Sequence, residues 1–304
     1  MSIWHIYGGN RLTGSTRVQG AKNAVLPIMA ASVLSGGETV LHNVPDLRDV
    51  TTTLRILQHL GCTAVRDGDT VRIDSRGMHC DFIPHALMRE LRSSVIFLGA
   101  ILARFGTARL SMPGGCELGP RPVNLHLDAL RALGAEVTER GGDIICRAHA
   151  LQGRRILLPF PSVGATENAM LAACAAAGET VICNAAREPE IADLQCYLRK
   201  LGADISGAGT STVTVGGFRP RPFVEHTIMP DRIVAATILC AAAACGGEVE
   251  LQDVDPAHFS TVLDSLSEAG CAIITTASAV RLTSNGQLTA PRPVVTQPYP
   301  GFPT

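Results

Sequence analysis

The feature that most restricts what this chain can fold into is that it repeats itself. "LGCTAVRDGDTVRIDS", "LGAEVTERGGDIICRA", "LGADISGAGTSTVTVGG" and "AGCAIITTASAVRLTSN" each pass from a glycine into two short strands joined by a turn. The marker glycines, Gly61, Gly134, Gly202 and Gly270, recur at intervals of about 70 residues. Each closes an amphipathic helix: "DVTTTLRILQHLG", "NLHLDALRALG", "EIADLQCYLRKLG" and "HFSTVLDSLSEAG". In these, apolar residues recur three and four apart, and glycine supplies the stop.

A second helix of another kind stands earlier in each unit: "NAVLPIMAASVLS", "SVIFLGAILARF", "ENAMLAACAAAG" and "RIVAATILCAAAACG". These are apolar nearly all round, so they are expected to be buried all round. A strand follows each one: "ETVLHNV", "ARLSM", "ETVICNA" and "EVELQDV". The unit reads helix, strand, helix, strand, strand, with a linking strand before it. Such a unit cannot stand alone, because its first helix needs other helices around it. The chain holds four units, so a domain of three would leave one over at the C-terminal end.

Composition narrows the function classes. The chain has 304 residues, 46% hydrophobic and 17% charged, enough for two domains with sizeable cores. A formal net charge of -1 and a pI near 6.7 argue against a nucleic-acid or membrane-surface binder, which would show a basic stripe. No uninterrupted apolar run reaches membrane-spanning length, and the start lacks a secretory pattern, so a cytoplasmic location is expected. The ten cysteines include no Cys-x-x-Cys pair. Most lie in apolar runs such as "LAACAAAG", "TILCAAAACGG" and "DIICRA", and these are expected as small buried hydrophobes. His79 beside Cys80 lacks partners for a zinc set, so no protein metal ligands are expected.

Two places resist a purely structural account. Of the 26 basic residues only Lys22 and Lys200 are lysines. Lys200 suits a polar helix face. Lys22, in "QGAKNAVLPIM", stands at a helix start, where a cation opposes the helix dipole; it is expected to meet an anion there. The other place is "SMPGGCELGPRP". Glycines and prolines on both sides of Cys116 forbid helix and central strand, so the thiol is expected on an exposed, movable loop. A surface turn that carries a thiol by chance is the plain alternative, and a solvated lysine is the plain alternative for Lys22.

Taken in order, "GAKNAVLP", "LRSSVIFLGAILARFG", "PGGCELGPRPVNLH", "SVGATENAML", "NAAREPEI", "MPDRI" and "PYPGFPT" resemble the UDP-N-acetylglucosamine 1-carboxyvinyltransferases. These are the enolpyruvyl transferases that open peptidoglycan synthesis. The resemblance runs along the whole chain. The sister family, the 3-phosphoshikimate 1-carboxyvinyltransferases, shares the fold but lacks this Cys loop and has a different Lys motif.

The resemblance implies an α/β inverse barrel of repeated βαβαββ units in pseudo-threefold symmetry. Residues 20–229 would form one complete domain; residues 1–19 with 230–304 would form part of a second. It implies transfer of the enolpyruvyl group of phosphoenolpyruvate to the sugar 3′-hydroxyl, with phosphate release. Both substrates are small molecules, and no cofactor, nucleic-acid partner or membrane is implied. Cys116 would be the proton donor, on a loop that closes over the substrates. Lys22 would bind phosphoenolpyruvate, with Asn23 beside it. Arg92 and Arg121 would be cations of the substrate site. Arg121, Pro122, Val123, Asn124 and Leu125 would hold the uridine nucleotide, and Ser162, Val163 and Gly164 would form a second nucleotide-contacting loop.

Departures from the family pattern are specific. Asn124 stands where aspartate is usual, Phe160 where lysine is common, and Val234 where glutamate is expected. After "PYPGFPT" the family continues with an aspartate that acts as base toward the sugar hydroxyl, and with two further repeats. The sequence ends at Thr304, so the resemblance implies a C-terminally truncated member. The alternatives are a non-catalytic UDP-sugar-binding protein and a fragment whose last unit folds poorly.

Overall fold

The structure is a computed structural model that describes residues 3–5, 7–91, 93–111 and 123–302. The chain forms two compact units, residues 22–229 and residues 1–21 with 230–304. Its first strand is β1 (Leu12–Arg17). The larger unit begins with α1 (Lys22–Ala31), β2 (Glu38–His42), α2 (Arg48–His59), β3 (Thr63–Asp67) and β4 (Thr70–Asp74). The second repeat runs β5 (Phe82–Ile83), α3 (His85–Glu90), α4 (Phe97–Phe105), β6 (Thr107–Ser111), α5 (Asn124–Ala132), β7 (Glu136–Arg140) and β8 (Asp143–Arg147). The third runs β9 (Arg155–Leu157), α6 (Val163–Ala173), β10 (Thr180–Cys183), α7 (Pro189–Leu201), β11 (Ala203–Ser206) and β12 (Thr212–Phe218), and β13 (Phe223–Thr227) follows. The smaller unit adds α8 (Arg232–Cys245), β14 (Gly247–Gln252), α9 (Ser260–Glu268), β15 (Ala272–Thr275) and β16 (Ala279–Ser284).

Every repeat builds the same four-stranded mixed sheet: β13-β2-β4-β3, β5-β6-β8-β7, β9-β10-β12-β11 and β1-β14-β16-β15. In each, a linking strand lies parallel to the strand after the buried helix, and the final hairpin is antiparallel. The linking strands of the second and third repeats directly precede them. The first repeat is different. β1 precedes it in sequence but pairs with β14, Leu12 opposite Gly247, in the smaller unit. Its place beside β2 is taken by β13, Phe223 opposite Glu38. The larger unit is thus closed by its own last strand.

The four marker glycines lie at helix ends with φ of 97°, 95°, 112° and 101°, the left-handed region that ends a helix cleanly without a Cβ. At Gly202 the neighbours add to this, since a Cβ would stand 1.9 Å from the carbonyl oxygen of Arg219.

The centre of the larger unit is made by the apolar helices. Ala24–Ala31 of α1, Phe97–Leu102 of α4 and Ala165–Ala173 of α6 are all buried. α4 packs on both α1 and α6. It approaches α6 so closely that a Cβ on Gly99 would be 2.5 Å from the Asn168 carbonyl oxygen.

The fourth apolar helix departs from expectation. Only Ala235, Leu239, Ala242 and Ala243 of α8 are buried, in the core formed with Leu251, Phe259, Val280 and Leu282. Ile233 is 48% exposed, and Cys240 and Cys245 are exposed rather than buried. The physical reason is the partner count. The larger unit gathers three such helices, whereas α8 has only a sheet and α9 within its own unit, so it buries one face. Cys62, Cys146, Cys174, Cys183 and Cys271 are buried as expected of small hydrophobes, and Cys196 is exposed. Among the described residues no helix is long and apolar enough to cross a membrane.

Candidate active site

Lys22 is the first residue of α1, and Asn23 is exposed beside it. The anion expected at Lys22 includes one from the protein itself: Asp49 Oδ2, in the first turn of α2, lies 2.7 Å from Lys22 Nζ. Asp49 favours the α2 N-terminus electrostatically and places a carboxylate against a cation at the start of α1. Asp49 also lines an open cleft of about 630 Å³ with Arg48, His85, Ala86, Arg89 and Glu90.

The two expected nucleotide-contacting segments come together through a residue that sequence reasoning passed over. Val123 precedes α5, while Asn124 and Leu125 open it. One residue further, His126 packs on the start of α6, where a Cβ on Gly164 would stand 2.8 Å from His126 Cε1. Ser162 caps α6 and accepts from Ala165 N at 3.4 Å. Val163 and Gly164 are the first two residues of that helix, where N–H groups lack intrahelical acceptors.

His126 is held from behind. Asn168 Nδ2 donates to His126 Nδ1 at 2.7 Å and to the Val95 carbonyl oxygen at 2.9 Å, while Asn168 Oδ1 accepts from Gly99 N at 2.7 Å. This buried amide bridges a C=O and an N–H four residues apart, the two groups an unbroken helix would pair with each other. With Nδ1 accepting, the ring proton sits on Nε2. Burial pushes the His126 pKa down to about 4, so the imidazole is neutral near pH 7 and Nε2–H is a donor beside Gly164. The only sequence trace of this pair is polarity: His126 interrupts the apolar stripe of "NLHLDALRALG", and Asn168 follows Thr166 and Glu167 in a helix that is otherwise apolar.

Three acidic side chains were also missed. Glu167 of α6 and Glu188 and Glu190 at the start of α7 are buried. Burial first, then the charges of Glu190 and Glu188, holds the Glu167 carboxyl well above its ordinary range. Phe160 stays 58% exposed. Asp231 of "MPDRI" caps α8 through Ile233 N and Val234 N. Among the described residues no group of three or more His, Cys, Asp or Glu is placed to hold a metal ion. Arg92, Cys116, Arg121 and Pro122 lie outside the described residues.

Residues 6–304 match the family model described as EPSP synthase (3-phosphoshikimate 1-carboxyvinyltransferase). The chain is 46% identical over 304 residues to UDP-N-acetylglucosamine 1-carboxyvinyltransferase 2 of Caldanaerobacter subterraneus subsp. tengcongensis, covering 100% of this chain and 73% of that protein. It is 48% identical over 305 residues to UDP-N-acetylglucosamine 1-carboxyvinyltransferase 1 of Symbiobacterium thermophilum, covering 98% and 69%. The enolpyruvyl transferase NikO from Streptomyces tendae superposes with a TM-score of 0.81 at 25% identity, covering 92% of this chain and 67% of that one. EPSP synthase from Acinetobacter baumannii shares the fold, with a TM-score of 0.68 at 20% identity and coverage of 92% and 66%. With the repeat architecture, a family model that matches residues 6–304 of the chain and relatives at this identity, the chain belongs to the enolpyruvyl transferase family, on the side of the UDP-N-acetylglucosamine 1-carboxyvinyltransferases.

Proposed function

We propose that this chain performs enolpyruvyl transfer to UDP-N-acetylglucosamine, the step that opens peptidoglycan synthesis. The sugar 3′-hydroxyl adds to C2 of phosphoenolpyruvate while C3 takes a proton. C3 then gives up a proton as the C2–O bond to phosphate breaks, leaving enolpyruvyl-UDP-N-acetylglucosamine and phosphate. The observation that carries this reading is 46% identity over the full 304 residues to a relative of that name.

The residues take the following roles in this reading. Cys116 delivers the proton to C3 and, with Lys22, makes up the catalytic pair. Lys22, steered by Asp49, places a cation on the phosphate or carboxylate of phosphoenolpyruvate, with Asn23 alongside; Arg92 and Arg121 add always-charged guanidiniums. Arg121, Pro122, Val123, Asn124 and Leu125 hold the uridine nucleotide. Beside the Ser162 cap, Val163 and Gly164 present N–H groups of the α6 N-terminus to the diphosphate, which the helix dipole favours. The neutral His126 adds one uncharged donor at the same place. Residues 20–229 act as the three-repeat domain, and residues 1–19 with 230–304 supply one repeat of the second. Both substrates are small phosphorylated metabolites, and in this reading the reaction runs in the cytoplasm.

Phosphate release by the purified chain, given phosphoenolpyruvate and UDP-N-acetylglucosamine, tests the proposal, with Cys116→Ala as control. Release that needs both substrates and is lost in Cys116→Ala is the expected result. No release from a chain that binds UDP-N-acetylglucosamine by calorimetry would sink it in favour of a non-catalytic binding protein.

A further inference from the structure

The cleft beside Lys22 takes neither substrate in the reaction as assigned, although its Asp49 steers Lys22. It is lined by Arg48, Asp49, His85, Ala86, Arg89 and Glu90. Both of its carboxylates are engaged by cations that do not line it: Asp49 by Lys22 and Glu90 by Arg55. Arg48, His85 and Arg89 are exposed, and among the described residues neither arginine has an ion-pair partner. Among the described residues the acids of the cleft are therefore already neutralised, and the two guanidiniums are left as its available charge, with the His85 ring beside them. A volume of about 630 Å³ falls within the range of small-molecule pockets. A planar guanidinium matches two phosphate oxygens at once, which an ammonium does not.

We propose that this cleft is a second anion site that takes a phosphate-bearing small molecule, with Arg48 and Arg89 gripping the phosphate and His85 as a further donor. Asp49 stands between it and Lys22, so an anion seated there adds negative charge on the far side of the Asp49 carboxylate. The two sites are linked through that one side chain. The inference does not depend on Lys22 or Cys116 having the roles given above.

The test is calorimetric titration of the full chain with inorganic phosphate in about 0.15 M salt, where exposed charges are screened beyond about 8 Å. The parent, Lys22→Ala, Cys116→Ala and the double variant Arg48→Ala/Arg89→Ala are compared. Phosphate uptake is expected to persist in Cys116→Ala and to fall less in Lys22→Ala, which leaves Asp49 uncompensated, than in the double variant. It is expected to weaken at least about tenfold in the double variant, since charge-assisted bidentate contacts are lost. If circular dichroism shows that the alanine pair does not fold, Arg48→Gln/Arg89→Gln carries the same expectation. Unchanged affinity in the double variant would overturn the proposal. So would uptake lost in Lys22→Ala but kept in the double variant, or uptake abolished by salt, which would mean an adventitious ion only. Cys116→Ala separates the two proposals: it is expected to remove turnover and to leave phosphate uptake unchanged.

Discussion

The contact most sharply open to test is the Asn168 amide at the crossing of α4 and α6. Asn168 is fully buried and makes three hydrogen bonds, at 2.7, 2.9 and 2.7 Å, to Gly99 N, the Val95 carbonyl oxygen and His126 Nδ1. Asn168→Ala leaves one donor and two acceptors without partners where water does not reach. Each buried, unsatisfied group costs about 1–3 kcal/mol. Partial relaxation brings the total to about 3–5 kcal/mol, a large part of the roughly 5–15 kcal/mol that holds a domain folded. The assay is urea unfolding followed by circular dichroism, with amide hydrogen exchange read over α4 and α6 to localise the loss. The midpoint should fall with little change in slope. Exchange should rise in both helices, and His126 should lose its fixed orientation. A loss below about 1 kcal/mol would refute the reasoning. It would mean that Gly99 N and the Val95 carbonyl simply re-pair as a regular helical bond and that the amide is dispensable.

The remaining expectations concern the ends of helices and the charges of the site. Gly202→Ala should cost about 3 kcal/mol, from left-handed strain plus the clash with the Arg219 carbonyl oxygen, whereas Gly270→Ala, which meets nothing within 4 Å, should cost only the strain, about 1–2 kcal/mol. Equal losses in denaturant unfolding would contradict this. His126 titrates low when folded, near 4 against an ordinary 6.5, so the unfolded chain binds the extra proton and stability falls as pH drops through that window. The loss is about 3 kcal/mol and should be smaller in His126→Asn; an imidazole signal titrating near 6.5 in the folded chain would refute it. Asp49→Asn should raise KM for phosphoenolpyruvate several-fold while changing stability by less than about 1 kcal/mol, because the pair with Lys22 is partly exposed. A KM equal to that of the parent would show that Asp49 does not steer Lys22.

Much of the fold was legible in the residues themselves because it rests on local physics. A glycine at the end of an amphipathic stripe stops a helix wherever it stands, and the four marker glycines do so. Helices apolar on all sides must find one another, and α1, α4 and α6 are buried as their pattern demands. Lys22 was legible as a cation in need of an anion, although which anion was not. Its partner Asp49 lies on another helix, and no spacing rule connects the two.

The tertiary structure decided what depends on long-range contacts. β1 stands before the first repeat yet pairs in the smaller unit, while β13, some two hundred positions later, closes the larger one. A strand's partner is chosen by which sheet edge lies within hydrogen-bonding reach, not by sequence order. α8 has the same composition as the buried helices but exposes Ile233, Cys240 and Cys245, because burial is set by the neighbours present and not by the helix alone. The Asn168–His126 pair shows the same limit at the site. A polar side chain in an apolar helix reads as a blemish until the groups facing it are known: an N–H, a carbonyl and a ring nitrogen, brought together only by the packing of three helices.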